Sequence, residues 1–194
     1  LKNILDNTRL KGKNYPFIYK NIDQSRVQIK KNYKIGFIKT YCWEFTKDYI
    51  QEEIITLLER IGNSNNYDLI EIDNIEEISN SHEIHEIIYE KCISYYFLEE
   101  FRNNKEKISP STNQMIERGL QIKPEVYISA LNSQKIISEV LNQKFFNFDA
   151  VISTSTSTVA PLLNIKETID PSLIWTLAGL PAINIPLSSY KGMP

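Results

Sequence analysis

The sequence predicts an α/β fold, built on a mixed and largely parallel sheet with helices packed on both of its faces. Two strand-like segments, YKIGFIK (residues 33–39) and LIEID (69–73), flank a helical segment. Strand, helix and strand in this order predict parallel pairing with a right-handed crossover. A third strand-like segment, FDAVIS (148–153), comes late in the chain. The expected strands are centred on four apolar residues, Ile35, Leu69, Val151 and Ile183.

Composition and charge exclude several classes of protein. The chain has 194 residues, enough for one sizeable domain, and no internal repeat or flexible linker divides it. A net charge of −2 gives no electrostatic reason to expect nucleic acid or an anionic membrane as a partner. No apolar run approaches the roughly 20 residues that span a bilayer, and the polar N-terminal stretch is not a signal peptide. Two cysteines are too few for a disulfide framework, so we expect a reduced, cytoplasmic protein.

Helix signals fill the segments between the predicted strands. Thr46 is a suitable N-cap for the first helix, and Gly62 is a suitable C-cap. A long helical segment extends from about residue 81 to residue 101, and SPST (109–112) then predicts a capped start for another helix. Pro124 occupies a first-turn position and opens a further helix. These helices provide the layers that cover the sheet.

The two histidines, His82 and His85, lie three positions apart in SHEIHEI, with Glu86 beside them. On a helix this spacing places both rings on one face, where a metal site is conceivable. The spacing differs from the HExxH of zinc peptidases, and no further cluster of cysteine or histidine supplies ligands. A solvated helix start is the favoured interpretation, and we expect neither a metal nor a cofactor.

A hydroxyl-rich run, STSTST (153–158), directly follows the third predicted strand. Ligands of open α/β sheets bind beyond the carboxyl ends of the strands, so this run is a candidate binding loop. A nucleophilic serine needs a base, and the chain has no histidine outside the pair described above. Hydroxyls in such turns also bond their own backbone. We interpret the run as a turn that lines a pocket, and Cys42, which has no activating partner in the sequence, as structural.

The segment IWTLAGLPAINIPL (174–187) carries two prolines and a glycine in an otherwise apolar run. Proline disfavours both a helix interior and a central strand. The segment therefore predicts a buried irregular turn that leads into a short strand. Segments of this kind often line a site.

This C-terminal segment, extended to residue 194, resembles the amidase signature family. The family pattern T-x-x-G-x-P-A-x-x-x-P is matched at five positions, Thr176, Gly179, Pro181, Ala182 and Pro186. The Gly-Leu-Pro-like turn that follows it in the family corresponds to Gly192, Met193 and Pro194. FDAVISTSTSTVAP (148–161) is similar to the family pattern D-x-L-x-x-P-[ST]-x-x-x-x-A-P, matched at Asp149, Ala160 and Pro161. Thr154 stands where the family commonly has proline.

The resemblance implies that residues 1–194 form a single partial amidase domain, corresponding to the C-terminal half and incomplete at both ends. Members of the family hydrolyse amides through an acyl-serine intermediate, with a Ser–Ser–Lys triad and no metal. The triad serines lie in and near a Gly/Ser-rich signature loop, and this sequence contains no such loop. The resemblance therefore implies an amide hydrolase that needs its missing N-terminal half, with no catalytic residue in this chain.

Two other functions stay open. The chain could be a non-catalytic remnant or interaction module that binds a partner through the face an N-terminal half would cover. It could also be the glutaminase-type subunit of a tRNA-dependent amidotransferase, which belongs to the same family. EVYISALNSQK (125–135) lacks the Tyr-Tyr and Lys-Ala-Gln pattern of those subunits.

The expected substrate-binding residues are Thr156, Ser157, Asp170, Ile174 and Trp175. Thr156 and Ser157 belong to the hydroxyl-rich run. Trp175 precedes the turn formed by Gly179, Leu180 and Pro181, which offers no helix face to bury it, so we expect its ring to fill a cavity. Asp170 lies in ETIDPS, where the tRNA-dependent relatives place an acid for the substrate's amino group. We expect these residues to face the acyl group of a small-molecule amide.

Overall fold

The sheet of the described chain has three parallel strands. The computed structural model describes residues 31–162, 165, 169–185, 187, 189, 190, 192 and 193. The strands are β1 (Tyr33–Ile38), β2 (Tyr67–Ile72) and β3 (Ala150–Ile152), in the order β2-β1-β3. β1 pairs in parallel with both neighbours, with Ile35 opposite Leu69 of β2 and opposite Ala150 of β3. The predicted α/β fold and the predicted parallel pairing are confirmed.

Six α-helices connect or follow these strands in the described residues. They are α1 (Asp48–Gly62), α2 (Ser81–Tyr96), α3 (Leu98–Asn103), α4 (Pro110–Gln121), α5 (Pro124–Phe145) and α6 (Leu173–Ala178). The capped start predicted within SPST is confirmed, since the Ser109 hydroxyl accepts from the Thr112 N–H at 3.2 Å. Pro124 is the first residue of α5, as predicted.

Three expectations about helix ends need correction. Lys47, not Thr46, holds the N-cap position of α1, and the Thr46 hydroxyl donates to the Cys42 carbonyl at 3.0 Å instead. Gly62 ends α1, but the C-cap position belongs to Asn63. The long helix predicted over residues 81–101 divides at Phe97, whose backbone leaves the helical region between α2 and α3.

The fourth strand expected around Ile183 is not present, because residues 181–185 adopt no regular secondary structure. The segment that was expected to be an irregular turn instead begins with α6. Gly179 ends this helix with a φ of 69°, a left-handed conformation that glycine adopts without steric cost. A strand needs a hydrogen-bonded neighbour. In the described residues after Gly179, the pairing that forms is an isolated antiparallel bridge between Tyr190 and Met193. Pro186, the last residue of the family pattern, lies outside the described residues.

The main hydrophobic core lies where the carboxyl ends of the strands meet α2, α5 and α6. Its buried members are Ile38, Ile75, Ile78, Ile137, Leu141, Ile174, Leu177 and Ala178. Ile72 and Val151, near the ends of β2 and β3, pack against them. Burial of this cluster therefore fixes α6 beside the edge of the sheet at which the three strands end.

A second packed region joins α2 to α4. A Cβ atom at Gly119 would lie 2.0 Å from the backbone oxygen of Glu90, so the two helices approach more closely than any side chain would allow. The buried Glu90 carboxylate accepts from Arg118 Nε at 2.8 Å. Lys91 Nζ donates to the Ile122 carbonyl at 2.8 Å. These contacts satisfy polar groups at the end of α4 and hold it against α2.

Candidate functional site

Three segments converge at the carboxyl edge of the sheet. They are the β1 loop (residues 39–47), the hydroxyl-rich loop after β3 (153–159) and the Asp170 turn (169–172) that precedes α6. The Lys47 N–H donates to the Ser157 carbonyl at 2.9 Å, and the Ser157 hydroxyl donates to the Ile169 carbonyl at 3.1 Å. The Cys42 thiol faces the Asp170 carbonyl with an Sγ–O distance of 4.0 Å. The three segments therefore form one connected surface, at the edge where α/β proteins bind ligands.

Four hydroxyls of the hydroxyl-rich loop form hydrogen bonds that fix the loop, one to the loop's own backbone and three to neighbouring elements. The Thr156 hydroxyl donates to the Thr158 carbonyl at 2.6 Å and lies 3.4 Å from the Thr158 nitrogen, whose N–H it accepts. Ser157 is fully buried, and Thr156 is exposed. Within the described residues, no hydrogen bond joins a serine or threonine of this loop to a histidine. The arrangement resembles a structured turn and shows no activated nucleophile.

Tyr49 of α1 anchors the far end of the hydroxyl-rich loop. Its hydroxyl accepts from the Val159 N–H at 2.9 Å and shares a hydrogen bond with the Thr158 hydroxyl at 3.2 Å. Its ring stacks on Tyr190, with ring centres 4.0 Å apart and planes 8° from parallel. Tyr190 bridges to Met193 across Gly192, which has a φ of 79°. The turn near the C-terminus is thereby placed against the same loop.

The structure places Trp175 and Ile174 differently from the sequence-based expectation. Both lie on α6, so the argument that no helix face buries Trp175 is wrong. Its ring packs 5.9 Å from the ring of Phe145, and its indole N–H donates to the Ser153 hydroxyl at 3.1 Å. Ile174 belongs to the core and is completely buried. Ile174 is therefore part of the core, and Trp175 contacts Ser153, the first residue of the hydroxyl-rich loop.

Asp170 lies at the centre of the convergence and is exposed. One carboxylate oxygen accepts from the Ser172 N–H at 2.8 Å and from the Ser172 hydroxyl at 2.7 Å, which fixes the turn before α6. The Asp170 charge acts on both histidines, because it favours the protonated form of His82 and of His85. Asp170, which was predicted as a site residue, thus acts on two histidines that the sequence analysis did not connect to it.

The two histidines, His82 and His85, form a cluster with Tyr41. The Tyr41 hydroxyl hydrogen-bonds to Nδ1 of His82, with the two rings edge to face at 5.3 Å. Burial lowers the pKa of His82 and of His85 and raises the pKa of Tyr41. His85 stacks on Tyr89 at 5.5 Å. The expectation of a solvated helix start needs correction for the two imidazole rings, which are half-buried against aromatic rings, whereas Glu83 and Glu86 are exposed.

Two chemical roles find no support at this site. Burial raises the pKa of Cys42, which keeps the thiol protonated and a poor nucleophile. Within the described part of the chain, no group of three or more His, Cys, Asp or Glu side chains could hold a metal ion.

No helix among the described residues has the length and apolar character to cross a membrane.

Sequence reasoning missed Tyr41 and Tyr49. Tyr41 comes three residues after the end of β1, so the rule that singled out the loop after β3 applies to it as well. Tyr49 gives no such signal, because its contact with the hydroxyl-rich loop spans about a hundred residues and depends on the fold.

No protein-family model and no curated protein sequence matches the chain. Solved structures do match. One, described as the crystal structure of an amidase, has a TM-score of 0.71 and 16% identity over 86% of this chain and 41% of that protein. A bacterial aryl acylamidase belonging to the amidase signature enzymes has a TM-score of 0.59 and 13% identity over 84% of this chain and 39% of its own.

A third match is an inhibitor-bound complex, described as a vestigial protein complex that reveals the evolutionary origins of an s-triazine catabolic enzyme. It has a TM-score of 0.60 and 14% identity, covering 69% of this chain and 28% of that chain. The chain thus has the fold of amidase signature enzymes and spans about two fifths or less of the lengths of these neighbours. The fold implied by the motifs around Gly179 and Asp149 is confirmed.

Proposed function

We propose that the chain is the C-terminal part of an amide-hydrolysing domain of the amidase signature type. The observation that carries this proposal is the match of 86% of the chain to 41% of an amidase structure. The family pattern that begins at Asp149 includes the hydroxyl-rich loop, and the pattern that begins at Thr176 starts on α6, directly after the Asp170 turn. Agreement between fold and motif supports the family better than either does alone.

The proposed role of this chain is to form one wall of the acyl pocket. The residues assigned to that wall are Thr156, Ser157, Asp170, Ile174 and Trp175. Thr156 and Asp170 are exposed and therefore accessible to a small amide, whereas Ser157 and Ile174 are buried and shape the wall from behind. The Asp170 carboxylate is the group suited to a substrate that carries an ammonium group.

The proposed chemistry is acyl transfer through a serine that this chain does not supply. Such a reaction needs a nucleophile, an activating base and oxyanion donors in one place. In the proposed complete domain, the serine attacks the amide carbon, the amine leaves with a proton, and water releases the acid from the acyl-serine. Residues 1–194 position the acyl group during these steps. We propose that the chain alone hydrolyses no amide.

An exposed apolar segment supports the idea of a domain that needs a further part. Ile183 is 89% exposed, Ile185 is 62% exposed and Leu187 is 56% exposed. Three large apolar side chains at alternate positions are the pattern of a strand face that packs on another layer. Exposed apolar surface of this kind marks an interaction site. The proposed partner is the remainder of the amidase domain.

The same segment also favours a second candidate, a non-catalytic module that binds another protein. The two proposals differ in what the partner carries. A partner with a lysine and a Gly/Ser-rich loop completes an enzyme, and a partner without them leaves a binding module. The sequence encoded upstream of Leu1 distinguishes the two directly.

The first experiment measures amine release from a panel of simple amides by purified residues 1–194. We expect no turnover above buffer. Turnover that is abolished by Ser155→Ala or Ser157→Ala would show that the hydroxyl-rich loop contains a nucleophile. The proposal that the nucleophilic serine lies outside this chain would then be wrong.

The second experiment tests the pocket wall in the complete enzyme. Trp175→Ala should change the preference between short and bulky acyl groups by about 1–3 kcal/mol in kcat/KM, because a pocket contact discriminates without performing the chemistry. Leu177→Ala is the matched control, since Leu177 lies on the same helix and belongs to the core. If both variants lower stability and reduce kcat/KM equally for every amide, Trp175 is a core residue and the wall assignment fails.

A further inference from the structure

An open groove of about 440 Å³ lies between α2 and the first half of α5, and none of the residues assigned to the acyl pocket lines it. Its apolar walls are formed by Ile84, Ile87, Val126 and Ala130. A groove of this volume accommodates a small molecule. We propose that it binds an aliphatic diammonium ion, with one ammonium group on the Glu83 carboxylate and the other on the Glu125 carboxylate. The proposal does not depend on amide hydrolysis.

The two helices that form the groove run antiparallel. The Cys92 thiol, late in α2, lies 3.7 Å from the hydroxyl of Tyr127, in the first turn of α5. Ile78, just before α2, is buried in the same cluster as Ile137 and Leu141, late in α5. The start of α2 therefore packs beside the later part of α5, and the end of α2 packs beside the start of α5.

This direction places two carboxylates at opposite ends of the groove. Glu83 lies in the first turn of α2, Glu125 lies in the first turn of α5, and both line the groove. Given the rise of an α-helix, the two positions are separated along the groove by about 5–10 Å, or one to two turns. The apolar walls occupy the space between them. The groove thus has an anionic group at each end and hydrocarbon in between.

Both carboxylates are available to a ligand. Glu83 and Glu125 are exposed, and neither forms an ion pair or a side-chain hydrogen bond with another described residue. Among the described residues, the lining of the groove contains no lysine, arginine or histidine that would neutralise them. Val126, between the two charges, is 43% exposed. A cleft with charges of one sign and apolar walls concentrates ions of the opposite sign, so the expected ligand is a cation.

The separation of the two charges indicates the class of cation. A metal ion needs several ligating groups at one point, and the described part of the chain has no group of three or more His, Cys, Asp or Glu side chains that could hold one. A monoamine would pair with one carboxylate and leave the other alone. An alkane chain with an ammonium group at each end pairs with both, and its methylene groups cover the apolar walls. Hexamethylenediamine is long enough to reach both ends, whereas ethylenediamine is too short.

Nuclear magnetic resonance titration of the whole ¹⁵N-labelled chain tests the site with three amines. Hexamethylenediamine should shift the backbone amide signals of Glu83, Ile87 and Val126 along one saturable curve, and the affinity should fall as salt is added. Hexylamine has the same hydrocarbon chain and one charge, so it should bind more weakly, and ethylenediamine should bind more weakly still. Equal affinity for the three amines, or no shift of these signals, would overturn the proposal. The unmodified chain gives this result, so it does not depend on any variant folding.

Variants of the two carboxylates test the assignment of the ends. Glu83→Gln and Glu125→Gln should each lower the affinity for hexamethylenediamine by about two- to fivefold, which is the effect of one exposed ion pair. Each variant should then bind hexamethylenediamine about as weakly as the unmodified chain binds hexylamine. The matched control is Glu86→Gln, because Glu86 is an exposed carboxylate of α2 that does not line the groove. Equal losses in all three variants would show a general attraction of cations and contradict the site.

A peptide distinguishes a small-molecule site from a protein-docking surface. The probe is an amphipathic helical peptide with leucines on one face and a lysine at each end of that face, titrated into the same labelled chain. We expect hexamethylenediamine to compete with this peptide for the Glu83 and Val126 signals. Saturable binding of the peptide without any binding of hexamethylenediamine would make the groove a surface for a partner helix, and the proposal would be wrong.

Discussion

Two neighbouring apolar segments, α6 and residues 181–185, differ in burial: the core buries α6, whereas residues 181–185 are exposed. In α6, Ile174 is 0% exposed and Leu177 is 3% exposed, whereas Ile183, a few residues later, is 89% exposed. α6 also has its last carbonyls satisfied, because Gln134 Nε2 donates to Leu177 and the Ser138 hydroxyl donates to Ala178, both at 2.9 Å. Residues 181–185 form no regular secondary structure. An apolar sequence therefore indicates residues suited to burial, but it does not show which element buries them. In this chain the core buries α6 and leaves residues 181–185 exposed to solvent.

The strongest test of this comparison is a pair of isoleucine variants. Ile174→Ala should lower the free energy of unfolding by about 2–5 kcal/mol, because it removes buried methyl and methylene groups and leaves a cavity. Ile183→Ala should change it by less than about 0.5 kcal/mol, since its side chain is already in water. Urea titration of the full chain measures both. Equal losses for the two variants would show that Ile183 is buried in solution and that the contrast does not exist.

A second pair of variants tests whether the close packing of α2 against α4 stabilises the chain. Gly119→Ala places a Cβ 2.0 Å from the Glu90 backbone oxygen, so α2 and α4 must separate at an expected cost of about 1–3 kcal/mol. The matched control is Gly62→Ala, because the added Cβ would lie 3.8 Å from Leu69 and meet no clash. That variant should be neutral or stabilising by up to about 1 kcal/mol. Thermal unfolding of both chains decides, and a harmless Gly119→Ala would refute the close crossing.

A smaller effect is expected from pH, through the two histidines of α2. The pKa values of His82 and His85 are both lowered in the folded chain from the ordinary 6.5, so the unfolded chain binds more protons just below that pH. Stability should be complete above 6.5 and should fall as the pH drops below it. Urea midpoints above and below 6.5 measure the effect. The double variant His82→Gln, His85→Gln should flatten this dependence, and an unchanged slope would assign it to other groups.

The sequence predicted those parts of the fold that depend on local pattern. The parallel pairing of β1 with β2 follows from the order of strand, helix and strand around Ile35 and Leu69, and the start of α5 follows from Pro124. The prediction of a strand around Ile183 was wrong, because local pattern alone does not show whether a pairing partner is present. The apolar alternation of that segment is a strand signal, but a strand exists only where a neighbour offers hydrogen bonds.

The candidate site was predicted in part, for a related reason. The loop after β3 and Asp170 were found from strand ends and from the family pattern, and both lie where the segments converge. Tyr41, Tyr49 and the burial of His82 were missed, because each depends on contacts between elements that the sequence does not pair. Trp175 was expected in an irregular turn because the prolines at 181 and 186 suggested one, yet the helix ends at Gly179 before either proline.

Hydrogen exchange followed by mass spectrometry tests the central claim that this chain is a partial domain with an uncovered apolar segment. The isolated chain is labelled, and peptides that cover α6 are compared with peptides that cover residues 181–185. The account predicts slow exchange in the second half of α6, where amides are hydrogen-bonded within the helix and its cap, and complete exchange of residues 181–185 at the shortest labelling time. Protection of residues 181–185 equal to that of α6 would show that the segment is already paired within this chain, and the account would be contradicted.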